Sequence, residues 1–174
     1  MKRLFTILLT AIIIVGATDV SAQRRSIAGY HGEIFAAGSY GLSEIATHTL
    51  SLHTVQGISF GECLTAGLGF GVDANTISLE NMDSDIDFWV PIYADFKAYA
   101  PTRGKVDPFI ALDLGGAFSV TSEDLGGLYI SSGIGFRAGA FMWSINYRLQ
   151  QLSPRNSGIA INTHGVQLRL GLAF

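Results

Sequence analysis

The feature that most constrains this chain is an alternation of apolar and polar residues with period two, repeated eight times from Tyr30 to the last residue. Successive side chains of an extended strand point to opposite faces, so each segment reads as a strand with one apolar face and one small or polar face. The segments are GYHGEIFAAGSYG, HTLSLHTVQGISF, CLTAGLGFGVD, FWVPIYADFKAYA, PFIALDLGGAFSV, LYISSGIGFRAGA, FMWSINYRLQQL and HGVQLRLGLAF. Turn-forming residues separate them, and no amphipathic helix interrupts the series. Each segment is long enough for the roughly 9–11 residues that a tilted membrane-spanning strand requires. Eight antiparallel strands make the smallest closed outer-membrane barrel.

The connections alternate in character. LSEIAT, ANTISLENMDSDID, TSEDLGG and SPRNSGIAINT follow the odd-numbered segments, whereas GE, PTRGKVD and a turn near RAGA follow the even-numbered ones. Short periplasmic turns and longer outer loops are the barrel pattern, which puts both termini on the periplasmic side. Pro91, inside the fourth segment, lacks an N–H, and a closed barrel has no edge on which to hide that gap. A bulge or an early break of the strand is expected there.

Periodicity alone does not say which face is outside. A soluble lipocalin-type barrel with an apolar interior shares it. The contents of the two faces decide. One face carries Ile110, Leu112, Leu114 and Phe118, then Trp143, Ile145 and Tyr147, then Leu168, Leu170 and Leu172. The other carries Ser131, Gly133 and Gly135, then Ser144, Asn146 and Arg148, with Gly67, Gly69 and Gly71 in the third segment. Turned outward, this second face would make a poor soluble surface, mostly Gly, Ser and Ala with few charges. Turned inward, it fills a narrow lumen while lipid covers the first. That reading also explains why only 14% of residues are charged and why 21 are glycine. The expected fold is therefore all-β: an eight-stranded antiparallel up-and-down transmembrane barrel. The lipocalin-like carrier is the inverted alternative.

Residues 1–22 read as a signal peptide: a basic MKR, an apolar LFTILLTAIIIVGA and a small-residue VSA before a cut between Ala22 and Gln23. Ala17 is a second acceptable cleavage point. Setting Lys2, Arg3 and Asp19 aside takes the net charge from −3 to about −4 over residues 23–174, which argues against nucleic acid as a partner. Cys63 is the only cysteine, so no internal disulfide is possible.

GYHG, TVQG followed by LGFGV, VPIYADFK, GLYISSGIGFR and the closing LRLGLAF together resemble the small outer-membrane β-barrel domains of Gram-negative bacteria, of the OmpA/OmpX-like type. The resemblance covers residues 23–174. It implies insertion by the barrel-assembly machinery, which reads the last strand and its terminal aromatic, so Phe174 becomes an expected assembly signal as well as an interfacial anchor. It supplies a fold and an address in the outer membrane, among lipid and lipopolysaccharide, and no reaction.

Parity places Glu33, Asp95, Lys97, Asp113, Arg137, Arg148 and Arg169 on the lumenal face. Unpaired charge is costly in a low-dielectric interior, so these groups are expected to pair and plug the barrel. The alternative is a narrow gated pore. Asp83, Asp85 and Asp87, with Asp73 and Glu80 nearby, resemble the start of a calcium loop but lack its Gly and closing Glu, so loop solvation is the expectation. His31, His48, His53 and His164 are the available bases, with His48 and His164 nearest the outer loops. No Gly-x-Ser-x-Gly elbow accompanies them, and no catalytic, cofactor or metal residue is assigned. The expected role is structural or adhesive, in a monomer. A lipid A-modifying barrel enzyme is the leading alternative, followed by the pore and the carrier.

Overall fold

In the computed structural model, eight strands form on the eight alternating segments: β1 (Ala28–Gly41), β2 (Thr47–Phe60), β3 (Leu64–Ile77), β4 (Asp85–Tyr99), β5 (Asp107–Ser119), β6 (Leu125–Ala138), β7 (Phe141–Pro154) and β8 (Ile161–Ala173). The structure describes residues 28–42, 47–77, 85–100, 102, 104–121, 125–154 and 161–174. Each strand pairs antiparallel with the next, and β8 returns to β1, so the sheet closes into a barrel. Closure leaves no open edge, the one sheet arrangement whose backbone is satisfied in lipid. The expected signal-cleavage residues Ala22 and Gln23 lie outside the described residues.

The ladders run further toward the loop end than the alternation does. β3 continues to Ile77, β4 starts at Asp85, and β8 starts at Ile161. Pairs such as Thr49 with Asn75 and Asn75 with Asp87 extend the barrel through residues that read as loop. There the apolar face is no longer selected, so backbone pairing persists while the period-two signal fades. At the opposite end the turns are tight. Gly61 opens a three-residue turn and Gly139 a two-residue one, both with φ of 63°. A positive φ at the first central position of Gly139–Ala140 matches the II′ geometry that suits twisted strands.

Pro91 does not produce the expected bulge or break. β4 is continuous, and its pairing with β5 runs unbroken through Pro91 opposite Ala117. On the β3 side the ladder lapses between Phe70–Ile92 and Asp73–Trp89 and resumes in the same register. A missing N–H removes a hydrogen bond on one side only, and the partner ladder holds the strand straight.

Leu50, Leu68, Ile110, Ile134, Leu168 and Leu170 stand exposed on the outer wall, and the lumen holds the polar set. Aromatics flank the apolar band: Tyr30, Phe60, Phe141 and Phe174 at the turn end, Tyr40, Phe88, Phe118 and Tyr147 toward the loop end. Tyr30 and Tyr40 are about ten residues apart on one strand. At about 3.3 Å per residue and a tilt of roughly 40°, that spacing is about 25 Å along the axis, the height of the apolar belt of a membrane barrel.

Candidate functional site

The lumen gathers nearly all the chemistry of the described residues, in three connected groups. Near the turn end, His31 Nε2 donates to Glu33 Oε1 at 2.6 Å. Lys97 Nζ bridges Glu33 Oε2 at 3.0 Å and Asp95 Oδ2 at 2.6 Å. Glu33, Asp95 and Lys97 reach the same interior because they occupy inward positions on β1 and β4.

In the second group, Arg169 Nη2 donates to Asp113 Oδ2 and to Ser131 Oγ, both at 2.6 Å. Its Nε donates to Gln167 Oε1 at 2.9 Å, and its guanidinium lies 4.8 Å from the centre of the Phe35 ring. Asp113 stands opposite Asp95 in the β4–β5 ladder, so the two carboxylates are neighbours with Lys97 on one side and Arg169 on the other.

The third group centres on Asp73. His53 donates from Nε2 to Asp73 Oδ1 at 2.8 Å, and Arg148 Nη2 donates to Asp73 Oδ2 at 2.8 Å. With that tautomer, His53 Nδ1 accepts from the Tyr93 hydroxyl at 3.0 Å. Arg148 also donates to Gln150. Tyr93 and Tyr129 pack 5.2 Å apart between this group and Arg169. Gly69 and Gly71 make room: a Cβ on Gly69 would overlap the Tyr93 ring, and one on Gly71 the His53 ring.

Asp73, the last residue of the third alternating segment, is fully buried on an inward position of β3, in step with Gly67, Gly69 and Gly71, and joins the lumenal charges. Two sequence-based placements, those of Asp87 and Arg137, are corrected. Asp87, read as loop, lies in β4 and accepts from Trp89 Nε1 at 2.7 Å and from Ser119 Oγ at 3.0 Å. Asp83 and Glu80 lie outside the described residues. Arg137 faces inward but not into the buried network. It sits at the turn-end rim, 3.5 Å from Asp107 Oδ2 and 4.5 Å from the Tyr99 ring centre, its side chain about 28% exposed. The ladder sets β6 so that Arg137 stands opposite Asp107, at the first residue of β5.

The histidines divide. His31 and His53 are buried in the lumen, whereas His48 and His164 lie on the outer wall beside Tyr40 and Tyr147, with ring centres 5.0 Å and 6.1 Å apart. The tyrosine hydroxyl, imidazole and carboxylate of Tyr93, His53 and Asp73 stand in file, the order in which a base is oriented toward a nucleophile. None of the three exceeds 2% exposure, so the file is closed off from solvent.

No protein-family model matches the sequence, and no curated protein does. Solved structures do match the fold. The crystal structure of Neisserial surface protein A (NspA) superposes with a TM-score of 0.60 at 15% identity, over 84% of this chain and 97% of that one. The outer membrane enzyme PagL superposes with a TM-score of 0.55 at 12% identity, over 80% of this chain and 97% of that one. The chain thus has the eight-stranded barrel architecture that these proteins share. One is a surface protein and the other an enzyme, so the shared fold does not decide between binding and catalysis.

Proposed function

We propose that the protein is an integral outer-membrane barrel of a Gram-negative cell with a structural or surface-contact role, and that its lumen is a plug rather than a channel. The observation that carries this reading is the pairing of a continuous apolar outer wall with a lumen crossed by three ion-paired groups. Eight strands leave an interior just wide enough for side chains, and here Tyr93, Tyr129, Gln167 and Asn146 are all under 2% exposed or nearly so. The fold likeness to NspA and PagL supports the outer-membrane address. A catalytic role would need a nucleophile and base facing a common cleft. The buried Tyr93–His53–Asp73 file and the separated His48 and His164 favour the non-catalytic reading.

The test is recovery from isolated outer membranes followed by gel mobility with and without boiling. A compact barrel migrates faster unboiled. Soluble periplasmic protein with no mobility shift would reverse the facing and return the carrier alternative. Replacing His48 or His164 is expected to leave lipid A composition unchanged, and an altered lipid A would establish an enzyme.

A further inference from the structure

The turn end of the barrel holds two cavities on either side of the wall, with Leu64 and Thr65 in the lining of both. One, of about 250 Å³, is polar and opens at the barrel mouth among Arg137, Glu62, His31, Tyr99 and Thr65. The other, of about 310 Å³, is an apolar groove on the neighbouring outer wall. Its shape follows from the ladders. Leu64, Ala98 and Ile110 form one outward row, and Ala66, Phe96 and Leu112 the next. The two alanines are short where their neighbours are long, which leaves a trough leading away from the mouth.

The polar cavity has groups still to be satisfied. Thr65 Oγ1 and Tyr99 OH are buried without a hydrogen-bond partner, on residues each only 5% exposed. A buried hydroxyl left unpaired is costly, so these two mark a place where a polar ligand is stabilised. Arg137 engages Asp107 through one nitrogen at 3.5 Å, a long contact, and its partly exposed guanidinium keeps further donors for an anionic oxygen. Glu62, exposed in the turn that begins at Gly61, offers the opposite charge at the same mouth. Phe60, Phe141 and Phe174 stand on the outer wall at this level, where interfacial aromatics mark the headgroup region.

We propose that the polar mouth and the apolar groove form one site for a phospholipid with a zwitterionic headgroup. Its phosphate meets Arg137 and the Thr65 and Tyr99 hydroxyls, its ammonium meets Glu62, and one acyl chain lies in the trough over Ala66 and Ala98. The proposal rests on the membrane-barrel reading above, with the turn end on the periplasmic leaflet. A binding site of this kind would anchor the barrel to inner-leaflet lipid independently of its surface loops.

The experiment is native mass spectrometry of the folded barrel in detergent, titrated with phosphatidylethanolamine, with phosphatidylglycerol of the same chains, and with free phosphoethanolamine. Unboiled gel mobility is recorded first; a chain that shows no compact barrel there fails the membrane reading before any lipid is added. The expected result is one phosphatidylethanolamine retained about tenfold more tightly than phosphatidylglycerol, as the difference of one charged contact predicts. Arg137→Ala and Glu62→Gln should each lose about the same factor. Glu62 lies in an exposed turn and Ala98 on the outer wall, so Glu62→Gln and Ala98→Leu test the site even where Arg137→Ala hinders folding. Ala98→Leu should weaken phospholipid retention and leave phosphoethanolamine binding unchanged. Equal retention of the two lipids, phosphoethanolamine competing as well as the whole lipid, or an Ala98→Leu variant that binds normally would each overturn the proposal.

Discussion

Asp113 and Arg169 show what a single residue carries in this lumen. Arg169 is only 4% exposed, and Asp113 is the carboxylate that neutralises it. Asp113→Ala leaves a buried guanidinium without its counter-ion, which costs about 3–5 kcal/mol. The denaturant midpoint of the refolded barrel should fall accordingly, while Asp113→Leu combined with Arg169→Leu should recover much of the loss; a double variant no better than the single would refute the pairing argument. Gly69 is a second such position. The Tyr93 ring lies across it, so Gly69→Ala forces the ring to move and should destabilise by about 1–3 kcal/mol, read in the same unfolding assay. The need for glycine on this face was visible as an inward run of Gly67, Gly69 and Gly71. Which ring fills the space was not, because Tyr93 belongs to the neighbouring strand.

At the scale of the element, β8 is the strand that closes the barrel. Leu168 and Leu170 face outward in its middle, and Gln167 and Arg169 face the lumen between them. Leu168→Arg puts a cation into the apolar belt at a cost of roughly 2–4 kcal/mol and should lower the yield of folded barrel in outer membranes. Normal yield would count against the facing. Phe174 continues the seam past the end of β8: its N–H and carbonyl exchange hydrogen bonds with Gly32, both at 2.8 Å. Its ring covers Gly32, where a Cβ would meet ring atom Cδ2 at 2.9 Å, and it lies 6.4 Å from the Tyr30 ring. Removing Phe174 therefore strips a ladder pair and uncovers a glycine, in addition to the assembly role proposed for it. Folding from urea into detergent separates the two: a deletion that folds normally there but assembles poorly in cells isolates the signal from the packing. Equal defects in both assays would leave packing as the whole effect.

At the scale of the whole molecule, the closed wall and the filled lumen lead to one electrical expectation. Reconstituted in a planar bilayer, the barrel should give no steady conductance, and Asp73→Ala with Arg148→Ala should produce flickering openings if the third group closes the path. A steady channel in the unaltered protein would replace the plug with a pore. The sequence by itself determined the number of strands, the side of each strand that meets lipid and the membership of Glu33, Lys97, Asp95, Asp113, Arg148 and Arg169 in the lumen. Those are properties of parity, which is local: a residue's face depends only on its position along its own strand. It also carried the inward position of Asp73, which ends the third alternating segment in step with Gly67, Gly69 and Gly71. Only the tertiary structure decided who pairs with whom. The contact of Arg148 with Asp73 joins β7 to β3, and that of Arg169 with Asp113 joins β8 to β5. Such contacts run across the lumen between strands that never share a ladder, so they depend on the stagger and closure of all eight strands together. Arg137 is inward by parity and stands at the rim because the turn at Gly139 follows it by two residues, but its pairing there with Asp107 comes from the β5–β6 register, which no pattern within one strand can set.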